Sequence, residues 1–406
     1  MPTTYRYYQK YQLLNLIRHF APISRKKLVE LMDLRPASVG DLTKELLEEG
    51  LIVETGLSSG GHGRRRILLD INKRDLCALV LSFSERLVNY TVVQFDGETV
   101  LKTEQPLPTG GDDARLTGIA AQIETLLRRT ADRRIVGIGL CDPIYNDPRP
   151  ASALSYDSFL LWLHDTLCPA LEKRFSLPVS SFSTVCLPAL AEHRFGCGVG
   201  CEHLLCVELS NGLGLSAYAD GRAITGAHGM AGELGHTVTD ARRDAAPCYC
   251  GKTGCVEQTA AFPYLQASLQ KAIESGTATV LAGKKNLTVS DIRAALEQHD
   301  RLCMRCVRQI AENAGLAIAN AVTLFDPERV VLYGFLLELG DYYLTILKNT
   351  ILENVMSAEL TICVSDATEG LLPLGAAAEL FSAFLRVEEN RWIYKLPNTE
   401  AEEDGQ

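Results

Sequence analysis

Four soft ligands fall within twenty positions of one another in this chain: His236, Cys248, Cys250 and Cys255. A histidine twelve residues ahead of a Cys-x-Cys-x4-Cys run supplies the four nitrogen and sulfur donors that a tetrahedral Zn²⁺ takes. Gly251 and Gly254 let the backbone turn tightly around such an ion. With every coordination position filled by protein, no water remains to be activated, so the zinc is expected to be structural. Free buried thiols are the alternative reading of these cysteines. A second pair, Cys303 and Cys306, stands alone in an apparent helix and reads as buried thiols.

The chain holds 13 cysteines. Met1 to Lys10 is rich in tyrosine and has no apolar core followed by a small-residue cleavage site, so an export signal is not expected. Reduced thiols and metal ligation therefore replace a disulfide framework, and the expected location is the cytoplasm. No apolar run reaches the roughly 20 residues that span a bilayer, which excludes a membrane protein with helical spans. At 406 residues, 47% of them apolar, the chain is long enough for two or three buried cores.

Charge divides the chain unevenly. Residues 1–74 carry 13 Lys/Arg against 8 Asp/Glu, net +5, whereas the whole chain is net −10, which leaves −15 on the remainder. A basic head on an acidic body fits a DNA-binding module joined to a domain with another task.

Within that head, Tyr8 to Phe20 has an apolar stripe of Tyr11, Leu13, Leu14 and Ile17 at helical spacing and ends at Pro22. Ser24 is placed to cap a second helix through Met32, with Leu28, Leu31 and Met32 facing inward. After Asp33 to Arg35, Pro36 suits the first turn of a third helix over Ala37 to Glu49, with Val39, Leu42, Leu46 and Leu47 buried and Gly50 as its stop. Leu51 to Glu54 and Ile67 to Ile71 read as strands around a Gly-rich turn, Gly60 to Arg66, that carries three arginines. This is a winged helix-turn-helix. Its third helix is expected to enter the major groove with Arg35, Ala37, Ser38, Asp41 and Lys44, while Arg64, Arg65 and Arg66 meet phosphates or the minor groove. A docking module for another protein is the alternative.

From Cys77 the pattern alternates strands and helices, giving an α/β architecture with mixed sheets in two lobes. Strands are predicted over Cys77 to Phe83, Val88 to Phe95, Ile135 to Leu140, Leu204 to Leu209, Leu213 to Tyr218 and Val330 to Tyr333. Helices are predicted over Thr117 to Arg129, Phe262 to Ser275, Thr288 to Glu297 and Arg301 to Leu324.

Several segments resemble the ROK family (repressors, open reading frames and kinases): Gly137-Ile-Gly-Leu140, Leu190-Ala-Glu-His-Arg-Phe-Gly196, Gly226-Ala-His-Gly-Met-Ala-Gly-Glu-Leu-Gly-His236, the cysteine motif ending in Glu257, and Ala319-Asn-Ala-Val-Thr-Leu-Phe-Asp-Pro327. The winged helix places the chain with the family's xylose and N-acetylglucosamine repressors. The resemblance implies an actin-like, ribonuclease H-like domain of two lobes with a sugar cleft between them. It also implies that Glu233, His236 and Glu257 contact sugar hydroxyls, that His236 ligates zinc, and that the protein is a homodimer or homotetramer. The domain arrangement expected is a winged helix over 1–74, a first lobe over 75–187 with a return at 370–388, a second lobe over 188–369 bearing the zinc site and oligomerisation surface, and a flexible acidic tail over 389–406. Within Val387 to Gln406, Trp392, Ile393 and Leu396 are placed to dock.

Two kinase features are missing. Where the family's kinases have a Gly-rich phosphate loop, this chain reads Ser82-Phe-Ser-Glu-Arg86, with no glycine and with a carboxylate that repels phosphate, so no ATP is expected. Aligned on Ala189-Leu-Ala-Glu192, Thr184 takes the position of the catalytic aspartate, and a threonine is no general base at neutral pH. The glycine cluster on the adenine side is reduced to Tyr333-Gly-Phe-Leu336. The expectation is a regulator, a repressor of carbohydrate-related genes, that binds duplex operator DNA as an oligomer and senses a sugar-like effector through lobe closure. The alternatives are an ATP-dependent sugar kinase with an appended regulatory domain and a regulator answering to a protein partner.

Overall fold

The computed structural model describes residues 2–57, 66–84, 86–144, 156–356, 359–367 and 370–385. One unit gathers Met1–Cys141, Tyr156–Ser181 and Ala376–Gln406, and a second gathers Asp142–Ser155 and Phe182–Gly375. Among the described residues no helix is long and apolar enough to cross a membrane.

Helix α1 (Pro2–Phe20) starts before the expected Tyr8 and buries Tyr11, Leu13, Leu14 and Ile17. Strand β1 (Ile23–Ser24) leads into α2 (Arg25–Met32), where the Ser24 hydroxyl accepts from the Lys27 N–H at 3.4 Å as an N-cap. Asp33, in the left-handed region at φ 50°, ends the helix. Leu28 is fully buried, but Leu31, expected inward, is 40% exposed. A two-turn helix presents one narrow stripe to its neighbours, and Leu31 lies about 60° around the axis from Leu28. Helix α3 (Pro36–Glu48) has proline in its first turn and buries Val39, Leu42, Thr43 and Leu46; Leu47, expected in the core, is half-buried. The Thr43 hydroxyl, donating to the Val39 carbonyl at 2.8 Å, satisfies a polar group in that core.

Strands β2 (Ile52–Leu57) and β3 (Ile67–Ile71) pair antiparallel with Ile52 opposite Ile71, and β1 joins them in the order β1-β3-β2. The turn between β2 and β3, with Arg64 and Arg65, lies outside the described residues. β1 escapes sequence reading because two residues carry no periodicity.

The same unit continues through β4 (Leu76–Ser84), β5 (Leu87–Gln94), β6 (Thr99–Pro106), α4 (Asp112–Arg129), β7 (Arg134–Ile144, in this unit as far as Cys141), α5 (Tyr156–Trp162), a π-helical turn at Leu163–Leu167, α6 (Cys168–Phe175) and β8 (Val179–Phe182, as far as Ser181). Its sheet runs β6-β5-β4-β7-β8. β4 is buried along most of its length, as an inner strand of apolar residues should be. β6 lies outside the predicted strands: it is an edge strand, largely exposed, with a charged and polar sequence.

The second unit starts with α7 (Leu187–Phe195), then β9 (Leu204–Leu209), β10 (Leu213–Ala219), β11 (Arg222–Ala223), α8 (Glu257–Ala260), α9 (Phe262–Glu274), α10 (Val289–Glu297), α11 (Arg301–Phe325), β12 (Arg329–Tyr333), α12 (Asp341–Glu353) and β13 (Thr361–Val364). Helix α13 (Leu371–Leu385) closes the described chain, and the boundary between the units falls inside it, after Gly375. The sheet order is β11-β10-β9-β12-β13, with β10 antiparallel and β12 parallel to β9, the mixed sheet expected. The apolar face of α11, from Leu302 through Val322, packs in one core with α9, α10 and α12 and takes in Cys303 and Cys306, which accordingly sit as buried thiols.

Candidate functional site

The metal loop follows β11. Isolated bridges Val238↔Cys255 and Pro247↔Thr253 fold it back on itself, and the Cys248 N–H donates to the Lys252 carbonyl at 2.8 Å. Gly254 stands at φ 77°, and a Cβ there would run into the Asp240 carbonyl, so the loop closes only with glycine at that point. This brings one donor atom each of His236, Cys248, Cys250 and Cys255 within 4.8 Å of one another. The Cys250 and Cys255 sulfurs are 3.6 Å apart, and the Cys248 sulfur lies 3.6 Å from His236 Nδ1. Zn–S bonds of about 2.3 Å at the tetrahedral angle put two sulfurs about 3.8 Å apart, so the donor set fits a four-coordinate zinc. Burial pushes the Cys255 thiol up to about 12, whereas the Lys252 backbone N–H holds that of Cys250 below its ordinary value. A bound cation would draw off these thiol protons.

With Nδ1 turned to the cysteines, the other ring nitrogen of His236 faces away from them. A 3₁₀ turn, Leu234–His236, sets Glu233 and His236 on one side, with Glu233 Oε2 3.8 Å from His236 Nε2. Glu257, the first residue of α8, reaches the β9–β10 turn, where its Oε2 accepts from the Leu213 N–H at 3.2 Å. The three residues expected at the sugar hydroxyls thus come together. A fourth was not anticipated: the Tyr249 hydroxyl lies 3.1 Å from His236 Nε2. Burial first, then the charge of Glu257, hold its phenol above the ordinary tyrosine range. Nothing in the sequence marks Tyr249 beyond its place between two ligands.

Alongside lies a cavity of about 750 Å³, wholly within the second unit. Thr184, in the turn before α7, lines it together with Tyr333, Gly334, Phe335, Leu371 and Leu372. Its lining holds three carboxylates, Glu208, Glu233 and Glu338, and among the described residues no lysine, arginine or histidine. Burial raises the Glu208 carboxyl, while hydrogen bonds from Ser210 and Tyr333 oppose that rise. In the first unit, the turn from β4 to β5 is a short hairpin: Phe83 pairs with Val88, and the Ser84 hydroxyl accepts from the Leu87 N–H at 3.3 Å. No glycine opens this hairpin into a row of free amides, although Glu85 itself lies outside the described residues.

On α3, Arg35, Ala37, Asp41 and Lys44 are exposed and Ser38 is half-buried, opposite the buried face of Val39, Leu42 and Leu46. Lys44 is 3.7 Å from Glu48, an exposed pair of adjacent helical turns. Arg66, just before β3, is exposed. Arg25 is instead held by Glu54 at 2.9 Å, and Lys10 by Glu49 at 2.6 Å, so part of the basic head is spent within the module.

A family model described as "ROK family" matches residues 86–377. A xylose repressor of Caldicellulosiruptor bescii is 29% identical over 376 residues, spanning 90% of this chain and 94% of the relative. The DNA-binding transcriptional dual regulator NagC of Escherichia coli is 27% identical over 347 residues, 84% of each chain. Among solved structures, a ROK family transcriptional regulator, a homolog of the E. coli MLC protein, superposes with a TM-score of 0.75 at 25% identity and covers 94% of this chain and 98% of its own.

Proposed function

Since the chain belongs to the ROK family, as an α/β protein with a winged helix-turn-helix ahead of an actin-like (ribonuclease H-like) domain, we propose that it is a cytoplasmic DNA-binding transcriptional regulator, a repressor of carbohydrate-related genes. The observation that carries this reading is the α3 face. Arg35, Ala37, Ser38, Asp41 and Lys44 turn outward from a module whose opposite side is fully packed, and the resemblance to regulators extends over that module. In this reading α3 sits in the major groove, and Arg64, Arg65 and Arg66 track the phosphates. Two copies in a homodimer or homotetramer present paired helices to one operator.

Zinc is structural here. His236, Cys248, Cys250 and Cys255 would hold it, and its role is to fix the loop and the ring of His236 so that Nε2 stays aimed at the effector. Glu233 and Glu257 accept hydrogen bonds from hydroxyls of a sugar-like effector beside that ring. Kinase activity is not expected. Thr184 cannot take a proton at neutral pH, and a cavity lined by three carboxylates without a cation repels nucleotide phosphates.

Mapping the DNA occupied by the protein across its genome tests the reading. Discrete sites beside genes for carbohydrate uptake or breakdown are expected; occupancy without discrete sites counts against it.

A further inference from the structure

The corner formed by Glu233, His236 and Glu257 is already filled. Tyr249 projects from the metal loop between two of its cysteines, and its ring meets that of His236 edge-on, with centroids 5.0 Å apart at 81°. The residue is 60% exposed overall, so the ring lies over the site like a cover while the hydroxyl points inward to His236 Nε2 at 3.1 Å. The adjoining cavity includes Glu233 in its lining but not His236, Glu257 or Tyr249, so this corner lies beside that open space and outside it. An imidazole nitrogen that awaits a hydroxyl has found one within the protein.

We infer that Tyr249 is a built-in occupant of the hydroxyl-binding corner: its phenol stands where an effector hydroxyl would bind, and a sugar enters only by turning the side chain out. This rests on the reading that Glu233, His236 and Glu257 receive the effector's hydroxyls. The exchange is one of like for like, since the ligand replaces hydrogen bonds that the protein already makes, and only the surplus appears as affinity. Tyr249 thereby sets a threshold on the ligand. A small aldose offering hydroxyls alone gains little by displacing it, whereas a larger ligand that also fills the cavity past Glu233 gains apolar contact in addition. Removing the tyrosine should therefore help the small ligand most.

The test uses the zinc-loaded full chain with ¹⁵N-labelled histidine, as wild type, Tyr249→Phe and Tyr249→Ala, each checked for unchanged zinc content. In long-range ¹H–¹⁵N spectra the Nε2 signal of His236 is expected to move in Tyr249→Phe, because that change removes only the hydroxyl. An unmoved signal overturns the inference whatever the ligands do. Calorimetric titration with D-glucose, D-xylose and N-acetyl-D-glucosamine is the second arm. Tyr249→Ala should bind at least one of them about tenfold more tightly than wild type, the effect of one or two recovered hydrogen bonds. Wild-type binding as tight as the variant's, or tighter, overturns displacement and makes Tyr249 a group that binds the ligand directly. A moved Nε2 signal with no binding by any of the three chains upholds the seated hydroxyl and sinks the sugar-effector reading instead.

Discussion

The metal loop and the two segments expected to have lost the family's kinase residues differ in what each side chain has to do. In the metal loop every functional side chain also has a structural partner. His236 faces the cysteines through Nδ1 while its Nε2 is left for Tyr249, and Glu257 holds the Leu213 amide at the head of β10. At the two positions where the family's kinases would carry catalysis, the residues here are ordinary: Thr184 sits in a turn at the cavity wall of the second unit, and in the first unit Phe83 pairs with Val88 across a hairpin that Ser84 fastens to Leu87. Groups that bind ligand and also hold the fold are costly to lose, whereas groups that serve catalysis alone can be exchanged without unsettling the core.

Substitutions sharpen or break that contrast. The largest effect is expected from Cys255→Ser, which removes the fully buried ligand at the centre of the loop. Zinc should fall from about one ion per chain toward none, and stability that zinc supplies through linkage, about 4 kcal/mol at a thousandfold excess over Kd, should go with it. Metal analysis and thermal unfolding with and without a chelator read both quantities. Next is Gly254→Ala, which places a side chain at φ 77° against the Asp240 carbonyl; a loss of roughly 1–3 kcal/mol with weakened zinc retention is expected. Glu257→Gln keeps the shape but weakens the acceptor for the Leu213 N–H. It should cost about 1 kcal/mol, abolish sugar binding, and leave zinc in place. Zinc lost together with Glu257 would mean that this carboxylate serves the metal loop and not a ligand. The smallest effect belongs to Thr184→Asp. Restoring the carboxylate alone should produce no transfer of phosphate from ATP to glucose or N-acetylglucosamine, because the hairpin and the acidic cavity remain, and appearance of such transfer would break the comparison.

Much of this was legible in the sequence, for local reasons. The cluster of His236, Cys248, Cys250 and Cys255 announces itself by residue type and spacing, the N-cap Ser24 and first-turn Pro36 by the chemistry of helix ends, and the β9–β10 hairpin by two apolar runs around Asn211-Gly212. The joining of Glu233, His236 and Glu257 needed the family resemblance, since spacing alone does not bring α8 to the β9–β10 turn. What stayed hidden was set by tertiary neighbours. β6 lies at an exposed edge and has no apolar run to reveal it. Leu31 has the character of a core residue yet faces outward because α2 is too short to bury more than one stripe. Glu208 alternates in β9 like any polar strand residue, and only the packing around it shows that it faces a cavity. Tyr249 is one residue between two cysteines until the folded loop sets its hydroxyl on His236.

In the proposed function the outward face of α3 reads duplex DNA. Selection of bound duplexes from a random library by the purified zinc-loaded full chain, followed by affinity measurement across a range of salt, tests it most directly. An enriched inverted repeat is expected, bound about tenfold or more weakly by the Arg35→Ala, Lys44→Ala double variant, with a salt slope reduced by about one for each phosphate no longer neutralised. Failure to enrich any sequence at low salt, or an inverted repeat bound equally well by the double variant, would contradict it.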